Sequence, residues 1–196
     1  RNRDVGFIVH GDADELTRLI AKRQITDRCD IRHADEVVTM DAKPSHVMRH
    51  GKATSMWSAI GAVKSGEASA AVSCGNTGAL MAVSMLQLRK LEGVNRPAIA
   101  CLWPSRNPQG FNIMLDVGAD IRADEHDLTQ YALMGASYAR NGLGLDRPRV
   151  GLLNVGTEET KGRAELKAAG EQLADLADAA NIEFVGFVEG GDIPSD

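Results

Sequence analysis

The stretch VSCGNTGALMA contains the first residues whose types and spacing could do chemistry. Ser73 to Gly78 joins a short apolar run to a segment with helical spacing. Backbone N–H groups in the first turn of a helix have no intrahelical partner, and the helix dipole favours negative charge there. Asn76 and Thr77 could add side-chain donors. The pattern predicts either an oxyanion or phosphate site, or an ordinary turn in which Asn76 or Thr77 caps the helix.

Two further polar segments follow apolar, strand-like runs, in DVGAD and NVGTEETKG. In the second, Lys161 opposes the dipole of a helix that begins nearby, and a lysine at that place favours an anionic substrate. The alternative is a plain helix start, capped by Thr157, with Glu158 and the next glutamate complementing the dipole. Asp116 to Asp120 could orient a donor or bind a cation, although a turn with a left-handed glycine is the favoured interpretation.

Other reactive side chains give weaker patterns. His46 and His50 are four residues apart, as metal ligands on a helix can be, but no third ligand has matching spacing. A solvated helix face is the simpler interpretation. Cys74 lies beside the glycines, yet no histidine is near it in sequence, and we expect a small buried thiol. Neither GxGxxG nor GxxxxGK is present. We predict no metal and no cofactor.

Alternating strand and helix patterns must position these segments. Strands are predicted over 5–12, 29–38, 70–73, 98–103, 112–117, 150–155 and 183–188. Helices are predicted over 13–23, from 44, and over 55–64, 77–91, 127–141 and 162–180. The runs NIMLDV and VGLLNV are continuously apolar, which is typical of parallel strands buried on both faces. We therefore predict a three-layer α/β/α sandwich with a mostly parallel sheet, whose ligands gather beyond the carboxyl ends of the strands.

The composition bounds the class of protein. The chain has 196 residues, 43% apolar and 25% charged, which suits a soluble α/β domain over 1–196. The formal net charge of -5 argues against nucleic-acid binding. Three widely spaced cysteines suit a reducing cytosol. Because the first residue is not methionine and no terminal cap follows the last strand, we expect an interior part of a longer chain.

Several blocks together resemble one known family closely. They are VSCGNTGALMA, RPAIA, MLDVGAD, QYALMG, PRVGLLNVGTEETKG and FVGFVEGGDIPSD. These blocks look like the phosphate acyltransferase family of bacterial phospholipid synthesis (PlsX), in the same order and over essentially the whole chain. Two glycine-rich blocks of that family, DAMGGD and DGFTGN, are absent. The resemblance therefore implies that this chain holds part of the site.

The resemblance also implies a fold, a reaction and partners. The fold would be akin to the isocitrate and isopropylmalate dehydrogenases and to phosphotransacetylase. The protein would be a homodimer, cytoplasmic and peripherally associated with the membrane. It would transfer a fatty acyl group from acyl carrier protein to inorganic phosphate, forming the acyl phosphate used in phospholipid synthesis. The acidic carrier would dock at a basic patch, with candidates at Arg89, Lys90 and Arg96, or else at Arg140, Arg147 and Arg149.

Residues and resemblance together define a candidate site. Phosphate attacks a thioester, and a thiolate leaves readily, so the protein needs to position the reactants and stabilise the oxyanion. Lys161 would neutralise charge on the phosphate or oxyanion, and Asn154 would donate a hydrogen bond. The predicted phosphate- and substrate-binding residues are Ser73, Gly75, Asn76, Thr77, Gly78, Asp116, Gly156, Thr157 and Glu158.

Two other functions remain open at this point. One is a phosphotransacetylase-like transfer from acyl coenzyme A, which differs in the thiol carrier. The other is a non-catalytic fragment that binds phosphate or contributes a dimer interface. A dehydrogenase lacks support, because the chain has no dinucleotide fingerprint and fold does not determine function.

Overall fold

A computed structural model describes residues 4–117, 123–156 and 162–195. The chain divides into two compact units, Arg1–Glu92 and Gly93–Asp196, which are described in turn. The single domain over 1–196 stays a prediction. Within the described ranges, no helix combines the length and apolar character needed to cross a bilayer.

The amino-terminal unit combines a parallel strand pair with four α-helices, counted over its described residues. Its elements are β1 (Phe7–Gly11), α1 (Ala13–Lys22), β2 (Cys29–His33), α2 (Pro44–His50), α3 (Ser55–Lys64) and α4 (Thr77–Leu88). β1 pairs with β2 in register, Phe7 opposite Cys29. α1 begins where the Asp12 carboxylate accepts a hydrogen bond from the Glu15 amide at 2.8 Å, a side-chain cap of the helix.

The core of this unit is built mainly from its last three helices. Six buried side chains form one cluster: Val38, Val47, Met56, Ile60, Ala79 and Val83. Ala79 and Val83 of α4 are completely buried. They hold the first turns of α4 against the rest of the unit, and therefore hold the glycines that precede the helix.

The carboxy-terminal unit contains an antiparallel and a parallel strand pair. Its elements are β3 (Ala100–Pro104), β4 (Phe111–Leu115), α5 (Glu125–Leu143), β5 (Arg149–Leu153), α6 (Ala164–Leu176) and β6 (Glu183–Val188). β3 pairs antiparallel with β4, and β5 pairs parallel with β6. The core cluster is Ala136, Leu152, Ala169, Leu173 and Ile182. α5 ends at Leu143, and the left-handed backbone of the next residue, Gly144 (φ 69°), closes the helix.

The predicted α/β class is confirmed, but several details of the prediction were wrong. Residues 70–73 are not a strand; they are mostly Ala and Ser, and Val72 is 90% exposed. β4 pairs antiparallel rather than parallel. β5 is not buried on both faces, since Leu152 is buried and Leu153 is 48% exposed. α4 ends at Leu88, three residues early, because Arg89 adopts φ 68°.

The half-buried His10 links the strand pair to α3. His10 Nδ1 and the Ser58 hydroxyl are 2.8 Å apart. The pKa of His10 is lowered, first by burial and then by the neighbouring Arg32, while Glu67 partly opposes the shift. A histidine whose pKa is lower in the folded state binds protons more tightly when unfolded. Its contribution to stability is therefore present above pH 6.5 and is lost as the pH falls below that value.

We predict that His10→Gln reduces the acid sensitivity of the amino-terminal unit. Urea unfolding followed by circular dichroism at about pH 8 and about pH 5 brackets the unperturbed histidine pKa. The free energy of unfolding should fall less between these pH values in the variant than in the parent. His46→Gln, which replaces an exposed imidazole of the same unit, is the control and should leave the pH dependence of the parent. Equal acid sensitivity in parent and His10→Gln would contradict the prediction.

Candidate functional site

The glycine turn, Ser73 to Gly78, lies directly before α4. The Ser73 hydroxyl accepts a hydrogen bond from the Gly75 amide at 3.2 Å, which closes the turn. Thr77 and Gly78 are the first two residues of α4, and both are exposed. Backbone N–H groups at these positions have no intrahelical acceptor. The amino end of α4 can therefore receive an anion from solvent.

The side chain of Asn76 holds this turn in place. It is 8% exposed, and its oxygen accepts a hydrogen bond from the Ala79 amide at 2.9 Å, so it is the cap of α4. Its nitrogen donates to the carbonyl oxygens of Thr39, Met40 and Ala42 at 3.2, 3.0 and 2.9 Å. An NH₂ group has two hydrogens, so its donor capacity is used within the protein. Asn76 therefore positions the turn, and any anion would contact the backbone amides.

Two glycines of the turn allow close packing. A Cβ at Gly78 would lie 3.1 Å from Pro44 Cγ, at the beginning of α2. A Cβ at Gly75 would lie 3.4 Å from the terminal methyl group of Met56. The absence of a side chain at Gly78 lets α2 approach the amino end of α4, and its absence at Gly75 leaves room for Met56 of α3.

Asp116 follows β4 in the carboxy-terminal unit. Its backbone is left-handed, with φ 61°, and its amide donates to the Ile99 carbonyl at 2.9 Å. The pKa of Asp116 is raised, first by burial and then by the carboxylate of Asp127, while Arg96 partly opposes the shift. These surroundings disfavour a full negative charge on Asp116.

Asn154 follows β5 and is 8% exposed. Its backbone amide donates to the Val188 carbonyl oxygen at 2.9 Å. Its side-chain oxygen accepts a hydrogen bond from the Val155 backbone amide, also at 2.9 Å. Gly162 packs against this side chain with φ 92°, and a Cβ there would overlap the Asn154 amide group. Gly156 is buried beside the same strand end. The structure therefore brings Asn154 together with the glycine that ends the NVGTEETKG motif.

The remaining predicted site residues lie outside the described residues. They are Lys161, Thr157 and Glu158, together with Asp120 of the DVGAD segment. Their roles stay predictions.

His46 and His50 are both exposed, which confirms the expected solvated helix face; their ring centroids lie 4.7 Å apart, with the ring planes tilted by 36°. Two findings near the glycine turn were not expected from the sequence. Cys74 is exposed, so the expectation of a buried thiol was wrong. The bonds from Asn76 to the segment before α2 were missed, because 34 to 37 residues separate the partners and no local pattern indicates such a contact.

The fold has counterparts among solved structures. A branched-chain phosphotransacylase from Enterococcus faecalis V583 superposes with a TM-score of 0.60 at 15% identity, covering 96% of this chain and 70% of that one. The EutD phosphotransacetylase from Staphylococcus aureus gives a TM-score of 0.53 at 12% identity, covering 94% and 69%. At these identities the comparison shows the fold alone. The chain has the α/β fold of the phosphotransacylases.

Sequence comparison identifies the family. The family model described as "Fatty acid synthesis protein" matches residues 1–196, and the chain belongs to this family. It is 74% identical over 197 residues to a phosphate acyltransferase of Jannaschia sp. (strain CCS1), and 72% identical over 196 residues to one of Paracoccus denitrificans (strain Pd 1222). Both matches cover 100% of this chain, but 54% and 53% of the relatives. The chain thus spans about half the length of the curated relatives that it matches. The resemblance found in the sequence is confirmed.

We predict that Asn76→Ala destabilises the amino-terminal unit by about 2–4 kcal/mol, because it removes a helix cap and leaves three carbonyl oxygens without their donor. Urea unfolding measures the change. Asp12→Ala is the matched control, since Asp12 caps α1 and makes no comparable second contact; it should cost about 1 kcal/mol. Equal losses in the two variants would show that the bonds to residues 39–42 contribute nothing.

We predict that Gly162→Ala costs at least about 2 kcal/mol, because the added methyl group would meet the Asn154 amide in addition to straining the backbone. Gly144→Ala is the matched control. Gly144 also has a left-handed backbone, with φ 69°, but no atom lies within 4 Å of an added Cβ. It should cost about 1 kcal/mol from the backbone alone. Unfolding free energies that agree within error for the two variants would contradict the packing of Gly162 on Asn154.

Proposed function

We propose that the complete protein containing this chain transfers a fatty acyl group from acyl carrier protein to inorganic phosphate. The product is an acyl phosphate for phospholipid synthesis, and the free thiol of the carrier is released. The observation that carries this proposal is the glycine turn, whose exposed helix start is held in place by the buried Asn76 side chain. The name phosphate acyltransferase, carried by relatives 72–74% identical, supports the reaction class.

The proposed chemistry needs no nucleophile from the protein. A phosphate oxygen attacks the thioester carbonyl carbon, and the carbonyl electrons move onto oxygen to form a tetrahedral oxyanion. When the oxyanion collapses, the carbon–sulfur bond breaks and the thiolate leaves with the bonding pair, taking a proton from solvent. The barrier is lowered by holding the reactants together and by stabilising the oxyanion.

The candidate residues divide these tasks. The amides of Thr77 and Gly78 at the amino end of α4 bind an oxygen of phosphate, with Ser73 and Gly75 shaping the turn and Asn76 positioning it. In the carboxy-terminal unit, Lys161 neutralises the developing negative charge. Asn154 donates a hydrogen bond, and Asp116 orients a neighbouring group. Gly156, Thr157 and Glu158 of the same unit are further substrate contacts.

The surroundings of the complete protein are part of the proposal. We propose that it is a cytoplasmic homodimer that associates peripherally with the membrane, where its product is used. The chain would then act as part of a longer protein, and the isolated 196 residues would lack part of the site.

The second candidate is a phosphotransacetylase-like transfer from acyl coenzyme A; a phosphotransacetylase is among the solved structures that share the fold. The two functions are separated by the rates of acyl phosphate formation from palmitoyl-acyl carrier protein and palmitoyl coenzyme A at equal concentration. Acyl phosphate is trapped with hydroxylamine. A higher kcat/KM with the carrier protein supports the first function, and a higher value with coenzyme A supports the second. Phosphate binding by calorimetry without any product would favour a non-catalytic role.

We predict that Lys161→Ala in the complete protein lowers kcat at least about a hundredfold, the scale of losing one group that stabilises an oxyanion. Hydroxylamine trapping measures the rate. Lys167→Ala, six residues further along the same unit, is the control and should retain at least about half of the activity, because surface substitutions away from a site have small effects. A Lys161→Ala rate within a few-fold of the parent would remove this residue from the mechanism.

A further inference from the structure

The residues from Ala42 to Gly66 carry an unusual charge pattern for this chain. The segment contains two histidines and four Lys or Arg residues and no Asp or Glu, although the whole chain has a formal net charge of -5. Asp41 and Glu67 lie on either side of it, and Glu67 is paired with Arg32 at 2.6 Å. The segment is therefore basic, although the chain as a whole is acidic.

The structure presents most of this charge on one short stretch. We define the α2 surface as Lys43, His46, Arg49, His50 and Lys52, all of which are exposed. In α2 only Val47 is buried, and it belongs to the core cluster. The helix is thus anchored through one side chain, and its basic residues face solvent.

The cations of the α2 surface have no carboxylate partner among the described residues. The Arg49 guanidinium donates to the Ser45 carbonyl at 3.1 Å, one turn back on the same helix. Three basic residues of the carboxy-terminal unit differ. Arg147 pairs with Asp178 at 2.9 Å, Arg149 lies 3.8 Å from Glu183, and Arg140 donates to the Ala180 carbonyl. These groups are already partly neutralised or engaged, which weakens the docking candidates in the carboxy-terminal unit.

The α2 surface also lies next to the glycine turn. Ala42, the residue before Lys43, accepts a hydrogen bond from Asn76 at 2.9 Å. Pro44 would lie 3.1 Å from a Cβ at Gly78, the second residue of α4. A partner that docks on α2 would therefore sit beside the exposed start of α4, where it can deliver a flexible arm to the turn.

We propose that the α2 surface is the docking site for the acidic acyl carrier protein. This inference rests on the proposed function and adds the place of encounter. The five cationic or protonatable groups of the α2 surface complement a carboxylate-rich partner surface, which steers encounter and lowers KM. An anionic membrane fits less well, because an interfacial helix needs a large apolar face, and Met48 is the large exposed apolar side chain of α2.

The test is the double charge reversal Arg49→Glu/Lys52→Glu in the complete protein. The matched control is Arg18→Glu/Lys22→Glu on α1, which changes the net charge equally at exposed positions of the same unit. Initial rates are measured with palmitoyl-acyl carrier protein and with the small thioester palmitoyl-pantetheine. We expect KM for the carrier to rise about tenfold or more in the α2 variant and its dependence on salt to weaken, while KM for palmitoyl-pantetheine and for phosphate stays within about twofold. The α1 variant should match the parent.

Direct binding separates failure of docking from failure of the proposed function. Fluorescence anisotropy of labelled acyl carrier protein at low salt reports binding whether or not acyl phosphate forms. Weaker binding by the α2 variant than by the α1 variant supports the surface even if no turnover is found. Equal binding by both variants, or no binding by the parent, overturns the proposal. An α2 variant that loses affinity for vesicles of phosphatidylglycerol while keeping its carrier KM overturns it in favour of a membrane contact.

Discussion

The hydrogen bonds of the Asn76 side chain are the interaction on which the candidate site depends. The side-chain oxygen of Asn76 caps α4. Its side-chain nitrogen donates to three backbone carbonyl oxygens in the segment before α2, those of Thr39, Met40 and Ala42. Because Asn76 is 8% exposed, losing these bonds would leave its buried side-chain amide without partners. The contact therefore sets both the position of the helix start and the path of the chain into α2. A turn that is held by the protein itself keeps its backbone amides available for a ligand.

The charge near this turn is opposite in sign to the net charge of the chain. The chain is acidic, yet the segment that Asn76 holds leads directly into exposed basic residues. The helix dipole favours an anion at the start of α4, and the exposed cations of the α2 surface favour an acidic partner beside it. Phosphate binding and recognition of the carrier would then rest on neighbouring but separate groups.

The carboxy-terminal unit has left-handed backbone conformations at two positions near its candidate residues. Asp116 adopts a left-handed conformation at the end of β4, and Gly162 adopts one against Asn154. Non-glycine residues in this region carry a conformational cost, which persists only where the surroundings hold them. Both positions border polar segments that the sequence marks as candidates, but only Asp116 carries this cost, because glycine adopts a positive φ freely.

Local sequence determined the helices and most of the strands. Tertiary structure decided how the strands pair and what the side chain of Asn76 contacts. Helix caps such as Asp12 and Asn76, the spacing of apolar residues and the left-handed Gly144 depend on neighbours a few residues away, so the predicted helices and most strands agree with the structure. The family was also evident, because its motifs are contiguous. Strand pairing is different: β4 pairs antiparallel and residues 70–73 pair with no described strand, which depends on distant partners. The hydrogen bonds from Asn76 to the segment before α2 could not be predicted for the same reason. Its acceptors lie more than 30 residues away, and only folding brings a buried amide to carbonyls that no local pattern connects with it.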